Sequence, residues 1–134
     1  PGTGADHARR AQRWLASHPG CSLRPPREPD AVDVDAATAD LRARLDRESQ
    51  VILVSPLTDD GAESIASRLA TEGHAVTVLS PDVAGGESPG ARLAALERRN
   101  RVADLRRAGV AVIDWTTDEP LGATIIRARE RGIA

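Results

Sequence analysis

Residues 51–82 read VILVSPLTDDGAESIASRLATEGHAVTVLSPD. The stretch holds two short aliphatic runs, Val51-Ile52-Leu53-Val54 and Val76-Thr77-Val78-Leu79, with a polar loop and an amphipathic segment of helical length between them. A connection that long carries the chain back across a sheet, so the two runs are expected to be parallel strands joined by a helix. A third run, Val110-Ala111-Val112-Ile113, follows another helical stretch and repeats the arrangement. The runs stop at Ser55-Pro56, Ser80-Pro81 and Asp114-Trp115. Ligands of open α/β sheets bind at the carboxyl ends of the strands, which makes these polar stops the place to look for function.

Outward from this core, local signals set the helices. Asp60 and Glu63 have capping-box spacing at the start of the first crossover helix, and Gly73 stands where a C-terminal cap glycine belongs. Ser88-Pro89 supplies a cap and a first helical residue for the second crossover, expected over 91–108 and closed by Gly109. A last helix is expected over 122–131. Upstream, residues 7–18 read as a helix with Asp6 as its cap, a proline-rich connection spans 21–35, and a second helix runs to about residue 47. The fold expected is a three-layer α/β arrangement, a mainly parallel sheet of about three strands with flanking helices. Residues 1–50 form a helical and proline-rich leading segment, and residues 51–134 a β-α-β-α-β-α core of a single domain or part of one.

Composition narrows the function. The 134 residues carry a formal net charge of −2, and all 18 basic residues are arginine. Without a basic excess, and with only Trp14 and Trp115 as aromatics, the chain lacks both the electrostatic footprint and the stacking platforms of a nucleic-acid binder. No apolar stretch approaches the roughly 18 residues that read as a membrane span. The lone Cys21 cannot form an internal disulfide, which fits a reducing compartment or indifference to redox state; the expected location of this soluble part is the cytoplasm.

Several residue groups invite a chemical reading. Pro1-Gly2-Thr3-Gly4 is no phosphate-binding loop, because neither the Lys nor the following Ser or Thr is present. Asp59 and Asp60, with Ser55, Ser80 and Asp114 at the same sheet edge, could bind a ligand or a divalent cation; Asp59 and Asp60 could equally serve the helix N-terminus. His7, His18, Cys21 and His74 have zinc-binding atoms but scattered spacing. Arg92, Arg99 and Arg106 recur every seven residues, and this stripe either meets an acidic partner or phosphate or is simply solvated. No G-x-S-x-G nucleophile elbow or other complete catalytic motif stands in the chain.

The stretch GHAVTVLSPDVAGGESPGARLAALERRNRVADLRRAGVAVIDWTTDEPL, residues 73–121, resembles the C-terminal half of the domain-of-unknown-function 58 family of von Willebrand factor A-like domains. The similarity is carried by Leu96-Glu97-Arg98-Arg99, Arg107-Ala108-Gly109-Val110, Asp114-Trp115 and Asp118-Glu119-Pro120-Leu121, and the opening PGTGADHARRAQRWL resembles a segment preceding that half. The resemblance implies a doubly wound, Rossmann-like sheet of which this chain supplies the last three strands. It implies a protein-interaction scaffold, not an enzyme, sometimes working beside an AAA-type ATPase of the MoxR kind, with family members often membrane-anchored. The Asp-x-Ser-x-Ser motif that begins the family's metal-ion-dependent adhesion site is missing; Pro56 occupies the position of its later Asp, and Thr38 is the sole, poorly placed candidate for its Thr. The adhesion site is therefore absent or incomplete, no cofactor is expected, and magnesium would require an upstream half. Two alternatives stand beside this reading: a small stand-alone α/β enzyme or ligand-binding domain using the strand ends, and a homodimer formed through the exposed edge of strand 51–55. Residues 21–35 would have to fold over that edge to prevent association.

Overall fold

In the computed structural model the aliphatic runs become three parallel strands, β1 (Gln50–Val54), β2 (Ala75–Asp82) and β3 (Ala111–Thr116), hydrogen-bonded in the order β1-β2-β3. Five helices accompany them: α1 (Ala5–Ser17), α2 (Val34–Arg44), α3 (Gly61–Thr71), α4 (Pro89–Arg107) and α5 (Leu121–Glu130). The residues described are 4–17, 33–46, 48–83, 86–116 and 118–133. The proposed edge cover at 21–35 falls largely outside them, as do His18, Cys21 and the side chain of His7, so the zinc reading has no described site.

The chain forms two units, Pro1–Ala31 and Val32–Ala134. The first contains α1, with Asp6 in its first turn accepting from Arg9 at 3.4 Å. The second contains everything else. It includes α2, which the sequence pattern groups with the leading segment and which packs on α3.

Register explains how the core is built. Val51 lies beside Val76, Leu53 beside Val78, and Val78 beside Val112. Side chains alternate across a strand, so these four valines and Leu53 share one face. Ile65, Ala66 and Leu69 of α3 and Val102 and Leu105 of α4 close over that face, with Val34, Ala37 and Leu41 of α2 at its margin. On the opposite face α5 lies against β3. The fold is a three-layer, Rossmann-like α/β arrangement.

Two glycines end the crossover helices in the same way. Gly73, at φ 92°, donates to the Ala70 carbonyl while His74 donates to that of Leu69; Gly109, at φ 81°, and Val110 repeat the pattern on Arg106 and Leu105. These bonds satisfy the last helical carbonyls and turn the chain into the next strand. A methyl group at Gly73 would meet no atom within 4 Å, so Gly73→Ala carries only the torsional penalty of left-handed backbone. It is expected to lower stability by about 1–2 kcal/mol in urea denaturation.

The expected capping at Ser88 is present: its hydroxyl accepts from the Ala91 amide at 3.1 Å, with Pro89 in the first turn. The expected box at Asp60 and Glu63 is not. Asp60 has helical dihedrals, φ −85° and ψ −6°, and its side chain makes no capping bond; Asp59 instead accepts from the Gly61 amide at 2.9 Å. An N-cap side chain bonds the first turn from extended backbone, and helical backbone at Asp60 directs its carboxylate elsewhere.

Candidate functional site

The carboxyl ends of β2 and β3 meet over a buried arginine. Along α4 the inward stripe is Ala91, Ala95, Arg98, Val102 and Leu105, at intervals of four, three, four and three residues. Four of these positions are apolar; the fifth brings a guanidinium under the sheet. Arg98 is 4% exposed. Its Nη2 donates to the Ser80 carbonyl at 3.0 Å, to Ser80 Oγ at 3.0 Å and to Asp114 Oδ1 at 2.7 Å. Ser80 and Asp114 are register partners on adjacent strands, so the pairing of β2 with β3 creates a two-residue acceptor for one cation. A buried charge is tolerable only when paired and hydrogen-bonded, and both conditions hold here. One atom is left over: Arg98 Nε is buried and has no partner.

The five strand-end residues thus separate into two groups. Ser80, fully buried, and Asp114, half-exposed, are brought together by Arg98. Ser55, Asp59 and Asp60 belong to the β1–α3 connection. Ser55 Oγ accepts from the Leu57 amide at 3.1 Å, and Asp60 Oδ1 accepts from Arg101 Nε at 2.7 Å. Leu57 between them has φ 55°, a left-handed conformation that costs a leucine about 1–2 kcal/mol. Complete burial of its side chain, the Ser55 bond and the Arg101 Nη1 bond to its carbonyl (3.3 Å) hold it there. Thr38 is buried in α2, where its hydroxyl donates to the Val34 carbonyl at 2.6 Å. Among the described residues no group of three or more His, Cys, Asp or Glu is placed to hold a metal ion.

Asp60 also borders an open groove between α3 and α4 lined by Glu63, Glu97, Arg101 and Asp104. Burial, with the negative charges of Asp104 and Asp60 nearby, raises the Glu63 pKa above its ordinary 4.5. An acid whose folded pKa is raised destabilises the fold while ionised, and the penalty disappears as pH falls through that raised pKa towards the unfolded value. Glu63→Gln is therefore expected to stabilise the protein at neutral pH. Its advantage should fade on acidification and be gone below 4.5, as checked by thermal melts across pH.

The arginine stripe is divided as well. Arg92 and Arg99 line one cavity of about 360 Å³ together with Asp82, Ala95 and Arg98. Arg106 lies apart, its Nη2 donating to the Val112 carbonyl at 3.4 Å. A second cavity, about 230 Å³, opens on the α5 side of the sheet between Gln50, Ile52, Thr77, Leu79, Ile113 and Ile125. Ile52 is 64% and Val54 66% exposed, and among the described residues β1 has β2 as its one strand neighbour.

The architecture and the strand-end site define a Rossmann-like α/β domain with an Arg-Ser-Asp cluster around the buried Arg98 and, among the described residues, two edge strands, β1 and β3. Comparison with protein families, curated proteins and solved structures finds no match to the chain. None of the helices among the described residues is long and apolar enough to cross a membrane.

Proposed function

We propose that the chain is a non-catalytic protein-interaction segment of a von Willebrand factor A-like domain, acting through the free edge of β1 and the apolar face beside it. The observation that carries this reading is the exposure of Ile52 and Val54. Parallel sheets are ordinarily covered on both faces, and here α5 lies against β3 while the β1 end of the same face stays open. Burying each of these side chains under a partner is worth about 1.5–3 kcal/mol. The outer edge of β1 adds main-chain donors and acceptors, so an extended segment can extend the sheet by strand addition.

The resemblance over residues 73–121 supports the same reading, since it places these strands at the far end of a larger sheet. Within the proposal the occupant is a polypeptide bearing an edge strand: further von Willebrand A-like sequence, an AAA-type ATPase of the MoxR kind, or a second copy forming a homodimer, in the cytoplasm. In this reading the adhesion site is absent or incomplete, with Pro56 at the position of its later Asp, so magnesium would enter only with an upstream Asp-x-Ser-x-Ser strand.

The double variant Ile52→Lys/Val54→Lys tests it. Both side chains are largely exposed, so the fold is expected to survive within about 0.5 kcal/mol per site. Wild-type chain is expected to self-associate with rising concentration in sedimentation velocity and to bind an apolar dye, and the variant to do neither. A wild-type chain that stays monomeric and dye-silent contradicts the proposal.

A further inference from the structure

The second feature of the strand ends is the cavity over Arg98, and it does not depend on the von Willebrand A-like reading. Arg92 and Arg99 are seven residues apart on α4, so they project from nearly the same face, about 20° apart at 100° per residue. Ala95 stands between them, and its single methyl leaves the space of about 360 Å³ that the two guanidinium groups flank. Arg98 forms part of the same wall, fixed by its three bonds from Nη2.

Two features distinguish this place. Seven of the described arginines in the sheet-bearing unit have a carboxylate partner: Arg42 has Glu72, Arg44 Asp40, Arg68 Asp35, Arg98 Asp114, Arg101 Asp60, Arg107 Asp104 and Arg127 Glu119. Arg92 and Arg99, like Arg106, Arg129 and Arg131, have none among the described residues, and these two line the same cavity. Arg98 Nε is also a buried donor with no acceptor among the described residues, a group whose unmet bond a bound ion or water is one way to satisfy. The cavity also sits at the carboxyl end of β2, where open α/β sheets take their ligands.

We infer that the cavity between Arg92, Arg98 and Arg99 is an oxyanion site that takes a phosphoryl group, as free phosphate or as the head of a small phosphomonoester. Guanidinium forks match phosphate oxygens with paired, charge-assisted hydrogen bonds, and Arg92 and Arg99 can close on the group from either side. Arg98 contributes a fixed positive wall, partly neutralised by Asp114. Asp82 is the acidic group on the rim and opposes binding. The volume is at the small end of ligand pockets, which suits a phosphoryl group with a short organic body.

The test follows the arginine Nε–H resonances of the full chain by NMR during titration with sodium phosphate, with sodium chloride at matched ionic strength as reference. Saturable shifts of Arg98 and Arg99 that chloride does not reproduce are expected. Arg99→Gln should weaken phosphate binding by about tenfold or more, since one charge-assisted fork is lost. Ala95→Leu should block the cavity while leaving every charge in place, and Asp82→Asn should tighten binding. Glycerol 3-phosphate is the second arm: tighter binding than inorganic phosphate assigns a phosphomonoester, equal or weaker binding assigns free phosphate. Shifts that chloride reproduces, that fail to saturate, or that persist in Ala95→Leu with unchanged affinity overturn the inference.

Discussion

Arg98→Ala is expected to lower unfolding stability by about 3–5 kcal/mol, the range for removing one partner of a buried ion pair. The loss has identifiable parts. Ser80 is fully buried, and without Arg98 its hydroxyl and carbonyl lose their shared donor, each at about 1–3 kcal/mol. Asp114 suffers less, because its half-exposed carboxylate can turn to water. Arg98→Met separates polar from packing effects, since it keeps the buried stem and removes only the guanidinium. Methionine should recover part of the stability but not all of it. An alanine variant within about 1 kcal/mol of wild type in urea denaturation would show that the guanidinium does not fasten α4 to the strand ends.

Leu105→Ala should be comparably damaging, at about 2–5 kcal/mol. Leu105 lies two turns beyond Arg98 on the same stripe, is fully buried, and accepts the Val110 amide at 3.0 Å where the chain enters β3. Truncation there removes apolar contact and leaves a cavity in a close-packed layer. Leu93 and Leu96 of the same helix are exposed and serve as controls, expected to change stability by no more than about 0.5 kcal/mol on truncation. Equal losses at Leu96 and Leu105 would mean that α4 presents a different face to the sheet.

Much of the architecture is local and therefore legible in the chain. The three aliphatic runs, the glycines at 73 and 109 and the Ser88-Pro89 start each rest on neighbouring residues, and each stands where those neighbours place it. What escapes a sequence reading is non-local. Asp60 and Glu63 have the spacing of a capping box, but Arg101, 41 residues further on, takes the Asp60 carboxylate. Ser80 and Asp114 look like two separate strand ends until the register makes them neighbours. Arg98 was open to detection: it interrupts an apolar stripe at 91, 95, 102 and 105, and an arginine in a core position demands buried acceptors. The seven-residue repeat of Arg92, Arg99 and Arg106 treats the three alike, whereas Arg92 and Arg99 share a cavity and Arg106 bonds the Val112 carbonyl. The packing of Val34, Ala37 and Leu41 of α2 beside the core is likewise a non-local contact.

The open edge of β1 is the central functional claim, and amide hydrogen exchange addresses it most directly. Ser55 donates inward to the Leu79 carbonyl at 3.1 Å, so alternation along the strand points the Ile52 and Val54 amides outward. Rapid exchange at Ile52 and Val54 in dilute protein, slowing as concentration rises and rapid again in Ile52→Lys/Val54→Lys, is the expected result. Equal protection at every concentration, or rapid exchange that never slows, would contradict an edge that works by recruiting another strand.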